Sequence, residues 1–204
     1  MRIGILGSGL MGAKLGTIFA RAGHEVTFSY ARSSDKLARL AREAGPGARS
    51  GTPAEAVHWN RVSDVLRQVG ALTGRTIVTC SLPMSDDDTG LVVAHTSSGA
   101  EELARMVPGA TVVSAFGSIP SEVLFGVFAA RGRGTPPSML YCGDDERAKE
   151  VAVQLIRDAG FEPVDAGALR AARYIEPFTM LVAVLAYEGA GGPELAYRFE
   201  HVRT

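Results

Sequence analysis

Cysteine is nearly missing from this chain: only Cys80 and Cys142 occur in 204 residues, each alone in its own apolar segment. Neither belongs to a C-x-x-C pair or has a histidine at metal-ligand spacing, which argues against a disulfide scaffold and a zinc knuckle. Both thiols are expected to be reduced, buried and structural. Net charge is equally scarce, with 21 Lys and Arg against 22 Asp and Glu spread along the chain. A nucleic-acid partner calls for a basic face or run, so none is expected. Long hydrophobic runs are absent too. The longest late stretch, Phe178 to Tyr187, is too short to span a bilayer, and Met1 leads into a β-like segment without the features of a signal peptide. The expectation is a soluble, cytoplasmic protein with no membrane partner.

The four histidines offer little chemistry. His24 lies in a helix-to-strand turn and His201 in the tail, while His95 sits among Thr96, Ser97 and Ser98 with no evident partner. His58 is followed by the only tryptophan, Trp59, and reads first as a packing pair. Asp86, Asp87 and Asp88 have a magnesium-like composition but no phosphate loop to serve, so a solvated turn is expected. No Ser/His/Asp or Cys/His arrangement can be assembled. No catalytic side chain and no metal ligand is therefore assigned.

What the chain does have is a 46% hydrophobic content arranged in alternating strand-like and helix-like segments. Strands are expected at Arg2–Leu6, Glu25–Tyr30, Ala48–Ser50, Thr76–Cys80, Thr111–Ala115, Met139–Cys142 and Glu162–Val164. Helices are expected at Ala13–Ala22, Asp35–Ala44, Val62–Val69, Ala100–Met106 and Glu146–Ala159, followed by a long apolar helix over Leu169–Tyr187. This order defines an α/β fold: a doubly wound, mostly parallel Rossmann sheet with a C-terminal apolar helix. The expected division is a nucleotide-binding domain over residues 1–165 and a helical segment over 166–204 for the substrate cleft and dimerisation. A helix apolar nearly all round must be covered, so a homodimer with Phe178, Leu181 and Leu185 at the interface is expected.

Gly7-Ser8-Gly9-Leu10-Met11-Gly12 is a G-x-G-x-x-G placed where the first strand meets the first helix. There the first glycine permits the tight turn, the second admits a pyrophosphate to the backbone, and the third lets helix and strand pack closely. Amides at the helix start then bind phosphate. At the end of the second strand, where NAD-binding proteins commonly carry an acid, stand Ser29-Tyr30-Ala31-Arg32-Ser33-Ser34. A 2′-phosphate fits the Arg32 guanidinium, the Ser29 and Ser33 hydroxyls and the nearby Lys36 charge, so NADP(H) is preferred. Beyond two later strands lie Ser81-Leu82-Pro83-Met84 and Phe116-Gly117-Ser118-Ile119-Pro120, the places where doubly wound proteins hold ligands. Read from the residues alone, this is an NADP-binding reductase of a small molecule, with the acceptor open.

Several stretches beyond the glycine turn point further: Val113-Ser114-Ala115-Phe116-Gly117-Ser118-Ile119-Pro120, Cys142-Gly143-Asp144-Asp145, Asp165-Ala166-Gly167-Ala168-Leu169, Arg173-Tyr174-Ile175-Glu176-Pro177 and the closing Gly189 to Phe199. With these in place the chain resembles the NADPH-dependent coenzyme F420 reductases, relatives of pyrroline-carboxylate reductases and of the reductase domains of six-transmembrane ferrireductases. The resemblance implies direct hydride transfer between nicotinamide and deazaflavin, with protein groups aligning the rings. It implies that Ala115 holds the nicotinamide amide and that Ser81, Leu82 and Pro83 line the cofactor. Met84, Gly117, Ser118 and Ile119 would face the substrate, and His58 with Trp59 would close one side of the cleft. It also implies a dimer. The chain departs from the family pattern between Thr52 and Val62, an interval about a dozen residues too short to hold the expected fourth strand. A shortened variant and an omitted stretch of chain both account for it.

Overall fold

The computed structural model describes residues 1–29, 34–51 and 72–202. The chain forms two compact units, Met1–Leu72 and Thr73–Thr204. In the first, strands β1 (Arg2–Leu6), β2 (Glu25–Ser29) and β3 (Ala48–Ser50) form a parallel sheet in that order, with helices α1 (Leu10–Arg21) and α2 (Ser34–Ala44) as the crossovers. Helix α1 buries Leu15, Ile18 and Phe19, the spacing of a single apolar face. Phe28, on β2, is fully buried and lies so close to α1 that a Cβ at Gly16 would fall on its ring. Gly23, at φ +93, follows the helix in the left-handed conformation typical of a C-terminal stop. His24 then packs on Phe19 and meets the N-terminal ammonium group at 3.1 Å, a structural role.

The second unit holds β4 (Thr76–Thr79), α3 (Gly99–Met106), β5 (Thr111–Ala115), α4 (Val123–Ala129), β6 (Ser138–Gly143), α5 (Glu146–Asp158), β7 (Glu162–Asp165) and α6 (Ala172–Tyr187). Its sheet runs β4-β5-β6-β7, parallel except where β6 lies antiparallel to β5. Val113, Met139, Cys142, Ala152 and Ile156 are fully buried and form the heart of this unit. Both units are α/β, and their strand pairs are dominated by parallel pairing.

Some expectations are revised. The apolar helix expected from Leu169 begins as a 3-10 turn, Leu169–Ala171, before α6 starts at Ala172. Helix α4 was not anticipated. Cys142 is buried, and burial pushes its thiol up to about 12, but Cys80 is only half-buried at the end of β4. The expected helix at Val62–Val69 and the short interval after Thr52 lie outside the described residues.

Candidate dinucleotide and substrate site

In the first unit, β1 ends at Leu6 and Gly7 turns the chain with φ +100, a conformation that a side chain would strain. Gly9 caps α1 with φ -74, and a Cβ built there would meet nothing within 4 Å. A Cβ at Gly12 would instead fall on the Gly7 carbonyl and stand 3.2 Å from Ile5 Cγ2. The three glycines thus divide into one for the turn, one for open space and one for close packing. The helical ladder begins with Ala13 N–H donating to Gly9 O at 2.9 Å, behind the amides of Leu10, Met11 and Gly12 at the helix start. No acidic residue occupies that first turn. An open cradle at an uncontested helix N-terminus is what a pyrophosphate requires.

The serines around this turn serve the protein. Ser8 is buried and its hydroxyl donates to Ser29 O at 3.1 Å, alongside Gly7 N–H at 3.3 Å. Ser29 is buried as well, and its hydroxyl donates to Ile5 O at 2.9 Å. These bonds lace the ends of β1 and β2 and commit the donor protons expected to meet phosphate. Lys36 is exposed in the first turn of α2. Tyr30, Arg32, Ser33 and His58 lie outside the described residues.

In the second unit the loops after β4 and β5 come together, since a Cβ at Gly117 would sit 3.3 Å from Cys80 O. Ser81 is exposed, Leu82 and Met84 are half-buried, and Pro83 is buried. Pro83 O accepts from Val92 N–H at 2.7 Å, and Met84 bridges to Leu91. Between them Asp87 accepts from the Ser85 and Thr89 hydroxyls and from Thr89 N–H, which holds its carboxyl down at about 2 in an exposed turn. Ala115 and Ile119 are buried, and Phe116 adopts φ +64, unusual for a bulky residue. Ser118 is fully buried, with its Oγ 2.6 Å from the Tyr197 phenol. Sequence reasoning missed Tyr197 as a partner, because the pair is 79 positions apart.

The other stretches behind the resemblance are fastenings. Glu176, buried on α6, accepts from Gly99 N–H at 2.8 Å and Ala100 N–H at 3.0 Å, so one helix caps another. Arg173 donates to both Glu101 oxygens at 2.8 Å. Asp144 accepts from Leu169 N–H and Asp145 from Ala148 N–H, fixing the turn before α6 and the start of α5. Lys149 pairs with Asp165 at 2.8 Å. Hydrogen bonding to Arg173 holds the Glu101 carboxyl below its usual range. Its contribution to stability is therefore present above the ordinary glutamate pKa and is lost as pH falls through the lowered one. Arg173→Ala should flatten the acid limb of a Tm-against-pH curve; an unchanged limb would contradict this coupling.

The parallel-dominated sheets with their crossover helices, and the glycine turn between β1 and α1, define an α/β protein of the Rossmann type. Residues 2–83 match the family model described as NADP oxidoreductase, coenzyme F420-dependent. The metalloreductase STEAP3 of Rattus norvegicus is 30% identical over 181 residues, covering 86% of this chain but only 36% of the rat protein. A crystal structure described as a candidate F420-dependent NADP reductase from Arthrobacter sp. FB24 matches with TM-score 0.82 and 23% identity, over 98% of this chain and 100% of that one. A reductive aminase from Aspergillus terreus, in complex with NADPH and ethyl levulinate, matches with TM-score 0.60 and 18% identity, over 86% of this chain and 58% of the other. No helix among the described residues is long and apolar enough to cross a membrane.

Proposed function

We propose that the chain is a cytoplasmic, homodimeric reductase that passes a hydride between NADP(H) and the deazaflavin coenzyme F420. The observation that carries the reading is the open cradle at Gly9, held between the positive-φ turn at Gly7 and the close packing at Gly12. The family match over residues 2–83 supports NADP as the nucleotide and F420 as its co-substrate. Bound NADPH supplies a hydride, and a proton from water completes the two-electron reduction of the deazaflavin, leaving NADP⁺. The chain's part would be to bind and orient: in the first unit the α1 amides would take the pyrophosphate, with Arg32, Ser33 and Lys36 for the 2′-phosphate, and in the second unit the loops from Ser81 and Ala115 are the candidates for the rings. In this arrangement residues 1–165 form the nucleotide-binding part and 166–204 the cleft and dimer segment.

Mixing NADPH with coenzyme F420, a cyclic imine, a free flavin or ferric iron tests the acceptor. F420 should be reduced fastest, and a faster imine or iron reaction would overturn the assignment. A second reading, a dinucleotide-binding protein without turnover, is favoured by the short interval after Thr52 and requires NADPH binding with no oxidation by any acceptor. Nucleotide preference is tested by Arg32→Ala, which should weaken NADPH binding by about 1.5–3 kcal/mol and leave NADH nearly unaffected. Equal losses for both would sink the role of that loop.

Dimerisation rests on α6, where Leu181, Leu185 and Val184 are 55%, 54% and 45% exposed. Phe178, in contrast, meets the Tyr197 and Phe199 rings of its own chain. An obligate pair would bury roughly 2,000 Å² or more. Light scattering should report a dimer at micromolar concentration; a monomer would refute it.

A further inference from the structure

We infer that Tyr197, on the segment after α6, is a positioning residue that holds the loop after β5 in the shape in which it would receive the nicotinamide ring. The inference rests on the reading that this loop receives the nicotinamide ring. Three observations meet there. The loop is bent through a left-handed Phe116 at φ +64, a conformation that persists in a bulky residue only when its surroundings over-determine it. Gly117 is pressed against the Cys80 carbonyl, which sets the loop on the end of β4. Ser118, the next residue, is fully buried, and its Oγ lies 2.6 Å from the Tyr197 phenol.

Tyr197 is itself clamped. Its ring stands edge-on to Phe178 at 5.1 Å and to Phe199 at 5.3 Å. Its carbonyl accepts from Ser138 N–H at 2.8 Å, and Phe199 N–H donates back to Ser138 Oγ at 2.9 Å, so the tail runs fastened beside the start of β6. The phenol oxygen also accepts from Leu140 N–H at 3.4 Å. Burial pushes the phenol pKa up, so the hydroxyl keeps its proton and a neutral hydrogen bond at physiological pH. A part-buried pair fixed at both ends transmits the position of the tail to the loop. Hydride transfer depends on ring alignment far more steeply than binding does, so the expected signature is loss of ring order at nearly constant affinity.

The test uses Tyr197→Phe, which keeps the ring between Phe178 and Phe199 and removes only the hydroxyl, together with Ser118→Ala and the double variant. The readout is the rise in nicotinamide fluorescence when NADPH is immobilised, which needs no acceptor. Each single variant should lose at least about half of that rise with the NADPH Kd changed less than about threefold, and the double variant should be no worse than either single one, as coupled residues require. With an acceptor that turns over, kcat should fall about tenfold and KM for NADPH should hold. A full fluorescence rise in Tyr197→Phe, or additive losses, would overturn the inference and leave the tyrosine a packing residue. If Tyr197→Phe does not fold, Ser118→Ala decides alone. Wild-type protein that fails to bind NADPH would remove the dinucleotide reading and this inference with it. Binding with a fluorescence rise but no reduction of F420 would remove only the acceptor, and the variants would still decide the role of Tyr197.

Discussion

Gly9→Ala is expected to abolish dinucleotide binding, by about a hundredfold or more, while the protein stays folded. The backbone at Gly9 has φ -74, which any residue adopts, and the added Cβ meets no protein atom within 4 Å. Alanine is a poor helix N-cap, so a stability change of about 1 kcal/mol is the most the protein itself should register. The methyl group would occupy only open space, the space proposed for the pyrophosphate. Gly12→Ala supplies the contrast: its Cβ falls on the Gly7 carbonyl, so it should destabilise the first unit by about 1–3 kcal/mol through overpacking. Calorimetric titration with NADPH and thermal melts of both variants separate the two roles. Unchanged NADPH affinity in Gly9→Ala would move the binding site elsewhere.

Glu176→Ala should be the most destabilising change in the second unit. The carboxylate is 3% exposed and takes two backbone donors, Gly99 N–H and Ala100 N–H. Truncation removes two charge-assisted bonds and leaves the first amides of α3 without that acceptor, a loss of about 3 kcal/mol. Set against a typical domain stability of about 5–15 kcal/mol, that is a large fraction. Glu176→Gln keeps one acceptor oxygen and should fall between Ala and wild type. Urea unfolding measures both; an unchanged midpoint in Glu176→Ala would show that the cap is dispensable.

Much of the fold was legible because glycine and proline punctuate short apolar runs. Arg2–Leu6, Ala48–Ser50 and Thr111–Ala115 stand where the run lengths place them. Helix α4 was not legible, since Val123-Leu124-Phe125-Gly126-Val127-Phe128-Ala129 has no polar face to betray a helical period. The reversal of β6 was hidden for a different reason: a strand has the same alternation in either direction. In the candidate site, the spacing of Gly7, Gly9 and Gly12 suggested a turn, an open position and a close contact; Gly7 has φ +100, a Cβ at Gly9 would meet nothing within 4 Å, and one at Gly12 would fall on the Gly7 carbonyl. The inward donors of Ser8 and Ser29, the Glu176 cap and the Tyr197–Ser118 bond depend on partners 21 to 79 residues away and leave no local pattern. Arg173 and Glu176 were noticed only as part of a resemblance, and their work turns out to be fastening α6 to α3.

Direct hydride transfer from NADPH to a deazaflavin, as proposed for this chain, can be followed by isotope tracing. NADPH carrying deuterium at both positions of the nicotinamide C4 is mixed with the protein and oxidised coenzyme F420 in ordinary water, and the reduced deazaflavin is weighed by mass spectrometry. One deuterium is expected in each reduced deazaflavin, passed across without exchange while the rings are held together. No reduction of F420, or a reduced product without deuterium, would contradict it.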